Sequence, residues 1–207
     1  MTIADILDPV PQAFYSTPAW GYVILGCAVV FLLNLRNYYY IFPYLTDCAW
    51  QWRGNLRLEA SVPRTRVRDL SSLASLLPTI LIFLRYDVIP LAFVLLWWLL
   101  RWILTPILRP NSKFVQYYDV ARRSGMNYFI LYTLSLLPVV GVLWLFHVPD
   151  MPVRIVLLAI TGLFYLLFLR RKAQILASVF RHMAVFLYLC ALEFIPSALL
   201  VAAMVLV

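Results

Sequence analysis

Residues 126–172 read MNYFILYTLSLLPVVGVLWLFHVPDMPVRIVLLAITGLFYLLFLRRK. Two apolar runs, 126–146 and 153–169, are separated only by the polar turn 147–152, and the second ends on Arg170, Arg171 and Lys172. At about 1.5 Å of rise per residue, a helix crossing a hydrocarbon core of about 30 Å needs about 20 mostly apolar residues, within a range of about 17 to 25. Both runs meet that length, so the stretch reads as two membrane-spanning helices joined by a tight turn. Pro138 falls inside the first run and is expected to kink it.

The rest of the chain has the same character. Of its 207 residues 64% are hydrophobic and only 13% charged, against roughly half and about a quarter in soluble domains. One soluble core cannot hide that much apolar surface. A lipid bilayer is the solvent this composition calls for. The formal charge of +8 would ordinarily raise nucleic acid as a partner, but cations also collect in the cytoplasmic loops of membrane proteins. The membrane reading is therefore preferred, with no nucleic acid. Cys27, Cys48 and Cys190 are odd in number and suggest neither a disulfide framework nor metal-ligand spacing. The first fifteen residues hold Asp5 and Asp8 without Lys or Arg, so no cleavable signal peptide is expected.

Outward from 126–172, four further spans are expected at 18–35, 70–84, 88–108 and 183–207. The first opens with Thr17 as a cap, Pro18 in the first turn and Trp20 at the interface. Asn34 reads as its terminator. The second is short, with Asp69 placed to cap it. Between them, 36–69 holds six Arg together with Tyr38, Tyr39, Tyr40, Trp50 and Trp52, a mixture suited to the membrane surface. The polar stretch 109–125 reads as a short surface helix. The 35 residues from Ala173 to Val207 would form a helix of roughly 50 Å, longer than any hydrocarbon core. Residues 173–181 are therefore assigned to the interface and 183–207 to the sixth span.

Charge orients this arrangement. With both termini outside, 15 of the 17 Lys and Arg face inward, leaving Arg85 and Arg154 outside, a strong positive-inside signal. The expected fold is thus an all-α integral membrane protein: a six-transmembrane-helix bundle with short interfacial helices, N-out and C-out, forming a single transmembrane domain over 1–207.

Glu193 is the residue most expensive to place. It lies roughly 18 Å along a helix from Arg181, which puts it near the bilayer midplane, where it must be paired or protonated. Pro196 frees a backbone acceptor close to it. Such a carboxylate serves either as a proton or cation relay, as a docking point for a charged partner helix, or as a buried bond locking the sixth helix in place; the locking role is the commoner one. Arg101 is a candidate partner, although snorkelling to the inner headgroups is its simpler role. On the inner surface Arg53, Arg57, Arg64, Trp50 and Trp52 are the candidates for contact with anionic lipid or a partner. His147 and His182 have no companions at ligand spacing, and no metal or cofactor is expected. Hydrolase, metalloprotease, P-loop and dinucleotide-binding motifs are absent from the sequence, so no enzyme is expected.

The string Phe186, Leu187, Tyr188, Leu189, Cys190, Ala191, Leu192, Glu193, Phe194, Ile195, Pro196 resembles the C-terminal signature of a Bacteroidetes family of multi-pass inner-membrane proteins, catalogued as a domain of unknown function. The step Leu136, Leu137, Pro138 is similar to a second feature of that family. The resemblance implies a Gram-negative inner membrane and gives weight to Tyr188, Cys190, Glu193 and Pro196; it implies no reaction. The expected role is a non-enzymatic structural or accessory subunit of a bacterial inner-membrane complex, in envelope biogenesis or protein secretion, with other membrane subunits as partners. The alternative is a small proton-coupled transporter using Glu193.

Overall fold

The computed structural model describes residues 18–86 and 115–178, together with Val185, Phe186, Leu189, Cys190 and Glu193. Among these residues 93% are helical and no strand occurs. The helices are α1 (Pro18–Leu33), α2 (Leu35–Trp50), α3 (Trp52–Glu59), α4 (Val62–Tyr86), α5 (Val115–Leu145) and α6 (Asp150–Ala177). The last three are long and apolar enough to cross a membrane, and the bent pair formed by α1 and α2 would make a fourth. The expected spans 88–108 and 183–207 lie wholly or largely outside the described residues.

The α5–α6 hairpin is closed by the chemistry of its turn. His147 adopts a left-handed backbone, φ 51°. Its N–H donates to Trp144 O at 3.0 Å, while Val148 N donates to Leu143 O at 3.1 Å. This satisfies carbonyls that the end of α5 would otherwise leave unpaired. Pro149 then starts α6, whose first turn carries Asp150 at the positive end of the helix dipole. Near this turn Tyr132, Leu136, Val153 and Leu157 form an apolar cluster. A second cluster lies at the far end, where Val120, Ala121, Tyr128, Phe168, Ile175 and Leu176 are buried together.

α4 has the inverse pattern of a soluble amphipathic helix. Ser71, Ser75 and Thr79 are buried, whereas Leu70, Leu73, Leu76 and Leu77 are exposed. Small polar residues inside and leucines outside is the arrangement of helices that pack in lipid, where close backbone approach and hydroxyl bonds do the joining. Tyr38 Oη donates to Ser71 O at 3.1 Å and lies 3.0 Å from Ser75 Oγ. Thr79 and Thr133 hydroxyls meet at 3.0 Å between α4 and α5.

Asn34 ends α1, as its sequence position suggests. Its Nδ2 donates to Val30 O at 3.0 Å, a local bond that competes with the helical ladder, and Leu25–Leu33 and Leu35–Trp50 diverge by 59°. α2 buries Tyr38, Ile41, Leu45 and Cys48 at helical spacing and exposes Tyr39, Tyr40, Phe42 and Trp50. Gln51 is extended at φ −124°, ψ 129°, which folds α3 back along α2. That return depends on Gly54: a Cβ there would stand 2.8 Å from the carbonyl carbon and oxygen of Asp47, too close for any side chain.

Three helices run further than their apolar cores. α4 begins at Val62 rather than at 70, α5 at Val115 rather than at 126, and α6 runs through Arg170, Arg171 and Lys172 to Ala177. Hydropathy marks what enters lipid, but Arg, Lys and Gln are good helix formers, and no Gly or Pro stops the helix after Lys172. The stretch 115–125, expected in a separate surface helix, is the first part of α5, and 173–177, expected at the interface, is the end of α6.

Candidate functional site

Glu59 and Arg68, Arg123 near the start of α5, and Arg171 and Lys172 near the end of α6 lie in a region held together across α2, α3, α4, α5 and α6. Its lower layer is centred on Glu59, at the end of α3. Arg68, fully buried, donates from Nη1 to Glu59 Oε1 and from Nη2 to Asp69 Oδ1 at 2.7 Å. Arg123 reaches the other oxygen of Glu59, Nη1 to Oε2 at 3.1 Å. One carboxylate thus joins α3 to both α4 and α5. Arg68 precedes Ser71, Ser75 and Thr79 on the same buried face of α4, so the polar stripe of this helix continues into the charged layer.

Beside it, the C-terminal end of α2 is capped from outside. Cys48 O accepts from Asn55 Nδ2 at 3.3 Å, and Asn127 Nδ2 donates to Asn55 Oδ1 at 2.8 Å. Ala49 O accepts from Arg171 Nη2; the same guanidinium donates to Gln174 Oε1 at 2.8 Å and to Tyr128 Oη at 3.3 Å. A cation at the negative end of a helix, supplying donors to its last carbonyls, is electrostatically favoured. Arg171 is 8% exposed, so this contact is shielded from solvent in the chain.

The third layer contains Glu193. Its Oε1 accepts from Lys172 Nζ, with side-chain exposures of 0% and 3%, and its backbone O accepts from Tyr165 Oη at 3.3 Å. Lys172 Nζ also lies 5.8 Å from the Phe168 ring centre. Among the described residues the cation facing Glu193 is Lys172; Arg101, the candidate partner named from the sequence, lies outside them. Lys172 is about 33 Å from Asp150 along α6 at about 1.5 Å per residue, so Glu193 packs beside the later turns of α6.

Cys190 is half-buried, while Tyr188 and Pro196 lie outside the described residues. The inner-surface candidates separate into two kinds. Trp50 is 86% exposed, and exposed Arg53 stacks over Trp52 at 5.5 Å while Arg64 stacks over Tyr44 at 4.2 Å. Arg57 faces Asp47 at 3.6 Å. Trp52 instead turns inward and packs against the α5–α6 cluster. Arg68, counted in the sequence as one more surface cation, is buried. Ser135 donates its hydroxyl to Leu131 O at 2.9 Å, within its own helix. Among the described residues no three His, Cys, Asp or Glu side chains gather as metal ligands.

Sequence reasoning found Glu193 but missed Glu59, Arg68, Asn55, Asn127, Arg171 and Lys172 as a connected set. A signal existed for one of them: Arg68, Ser71, Ser75 and Thr79 repeat at helical spacing on a leucine-rich helix.

The fold defines a helical protein with helices long and apolar enough to cross a membrane, and the site joins α2, α3, α4, α5 and α6 through charged and amide side chains. Comparison with protein-family profiles, with curated proteins and with solved structures gives no match to this chain.

Proposed function

We propose that the chain is a non-enzymatic, multi-pass subunit of a bacterial inner-membrane complex, serving envelope biogenesis or protein secretion and holding partner subunits and anionic lipid against its inner face. The single observation carrying this reading is the double engagement of Glu59 by Arg68 and Arg123. It fixes α3 to two long helices, and so holds the exposed face bearing Trp50, Arg53 and Arg57 in one orientation. A rigid aromatic and cationic face is suited to headgroups and to partner segments. The excess of cations in 36–69, 101–123 and 170–181 supports an orientation with this face inside and both termini outside in a six-span arrangement.

Affinity purification of the tagged chain from its native membrane in a mild detergent tests the proposal. Recovery of a constant set of membrane proteins is expected; repeated recovery of the chain alone contradicts it.

The Lys172–Glu193 contact favours a second reading, a small proton-coupled transporter in which this buried acid–base pair exchanges a proton. Under that reading E193Q abolishes proton-coupled uptake while the protein still folds. Under the subunit reading E193Q leaves ion and proton flux unchanged.

A further inference from the structure

The bend at Asn34 leaves an open groove of about 810 Å³ between the start of α2 and α5. This is within the roughly 300–1,000 Å³ of ligand clefts. Leu35, Tyr39, Phe42 and Pro43 line it from α2 and Leu134 from α5, and every lining residue is apolar or aromatic except Arg36. Arg36 is exposed, and among the described residues no carboxylate lies within ion-pair distance of it. Tyr39 beside it is 85% exposed. A single cation and a tyrosine over an apolar trough complement an amphiphile with a negative head and a hydrocarbon tail. A zwitterionic lipid matches the trough equally well but gains less from Arg36.

We infer that this groove is a binding site for one anionic phospholipid, its phosphate at Arg36 and an acyl chain along Phe42, Pro43 and Leu134. Guanidinium pairs with phosphate through parallel N–H donors, and the aromatic rim is of the type found at headgroup level. The site is distinct from the Trp50, Arg53 and Arg57 face, which lies at the other end of α2. It rests on the proposed placement of α2 at the membrane surface, but it does not depend on partner subunits.

The test uses the full chain purified from bacterial membranes in mild detergent, with retained phospholipid extracted and quantified per protein by mass spectrometry. Wild type and R36K are expected to keep anionic phospholipid above its share of the membrane. R36Q is expected to lower that retention about fivefold. L134W, which fills the trough and keeps the charge, is expected to lower it as well. Size-exclusion profiles establish that each variant folds. Should R36Q fail to fold, wild type is transferred to nanodiscs of phosphatidylglycerol or of phosphatidylethanolamine, and lipid adducts are read by native mass spectrometry. Equal retention by wild type and folded R36Q, or equal adducts from the two lipids, overturns the inference.

Discussion

Lys172 donates to the Glu193 carboxylate in a contact from which both side chains are almost fully shielded. Desolvating two charges costs free energy that their attraction roughly repays, so the pair stabilises little against an apolar substitute, yet removing one leaves the other's buried charge poorly compensated. E193A and K172A should each destabilise the protein by about 3–5 kcal/mol, whereas K172M combined with E193L should recover most of that loss. Thermal unfolding in detergent reads both. Additive losses in the double variant would mean that the two groups are not coupled.

Gly54 gives a sharper steric prediction. G54A forces a Cβ against the Asp47 backbone at 2.8 Å, where neither side has a flexible end that can give way, and should cost about 1–3 kcal/mol. Gly162, in α6, has nothing within 4 Å of an added Cβ. G162A should therefore be neutral or stabilise by about 0.5–1 kcal/mol, because alanine is the better helix former. The same unfolding experiment compares the two.

Glu59 holds two arginines, one of them fully buried. E59A leaves the Arg68 guanidinium with Asp69 and removes the charged link from α3 to α5, leaving the Asn127–Asn55 hydrogen bond, so limited proteolysis should cut sooner around residues 51–61 than in wild type. An unchanged cleavage pattern would show that its apolar contacts and the Asn55 hydrogen bonds hold α3 without Glu59.

The hydroxyl contact between Thr79 and Thr133 should matter less. Each hydroxyl also bonds within its own helix, Thr79 to Ser75 O at 2.9 Å and Thr133 to Phe129 O at 3.0 Å. Interhelical bonds of this kind are worth about 0.6 kcal/mol on average in membrane bundles, so T79V should shift unfolding only slightly. A loss comparable with that of E193A would assign the main joining role to the serine and threonine stripe instead.

What the sequence makes legible follows from what one dimension can encode. The α5–α6 hairpin is visible because two apolar runs flank His147, Pro149 and Asp150, and because their lengths match a bilayer. The Asn34 break is visible for the same reason. The helix starts at Val62 and Val115 are not, since polar helix formers extend a helix without altering the apolar pattern. Costly charges can be recognised singly, as Glu193 was, but their partners cannot: Lys172 is 21 positions from Glu193 and Arg123 is 64 from Glu59, and only packing selects among the cations within reach. Arg171 and Lys172 illustrate the limit. Beside Arg170 they read as a loop cluster marking the inner surface, yet helix continuation turns these two inward while Arg170 stays exposed.

In the proposed arrangement the chain threads a membrane with its cationic face and its hairpin turn on opposite sides. Substituted-cysteine labelling with a membrane-impermeant maleimide tests it most directly, using R53C and H147C in a background freed of Cys27, Cys48 and Cys190. Both positions are exposed, so reactivity reports sidedness. H147C should label in intact spheroplasts and R53C only after the membrane is opened; labelling of both from the same side would contradict the account.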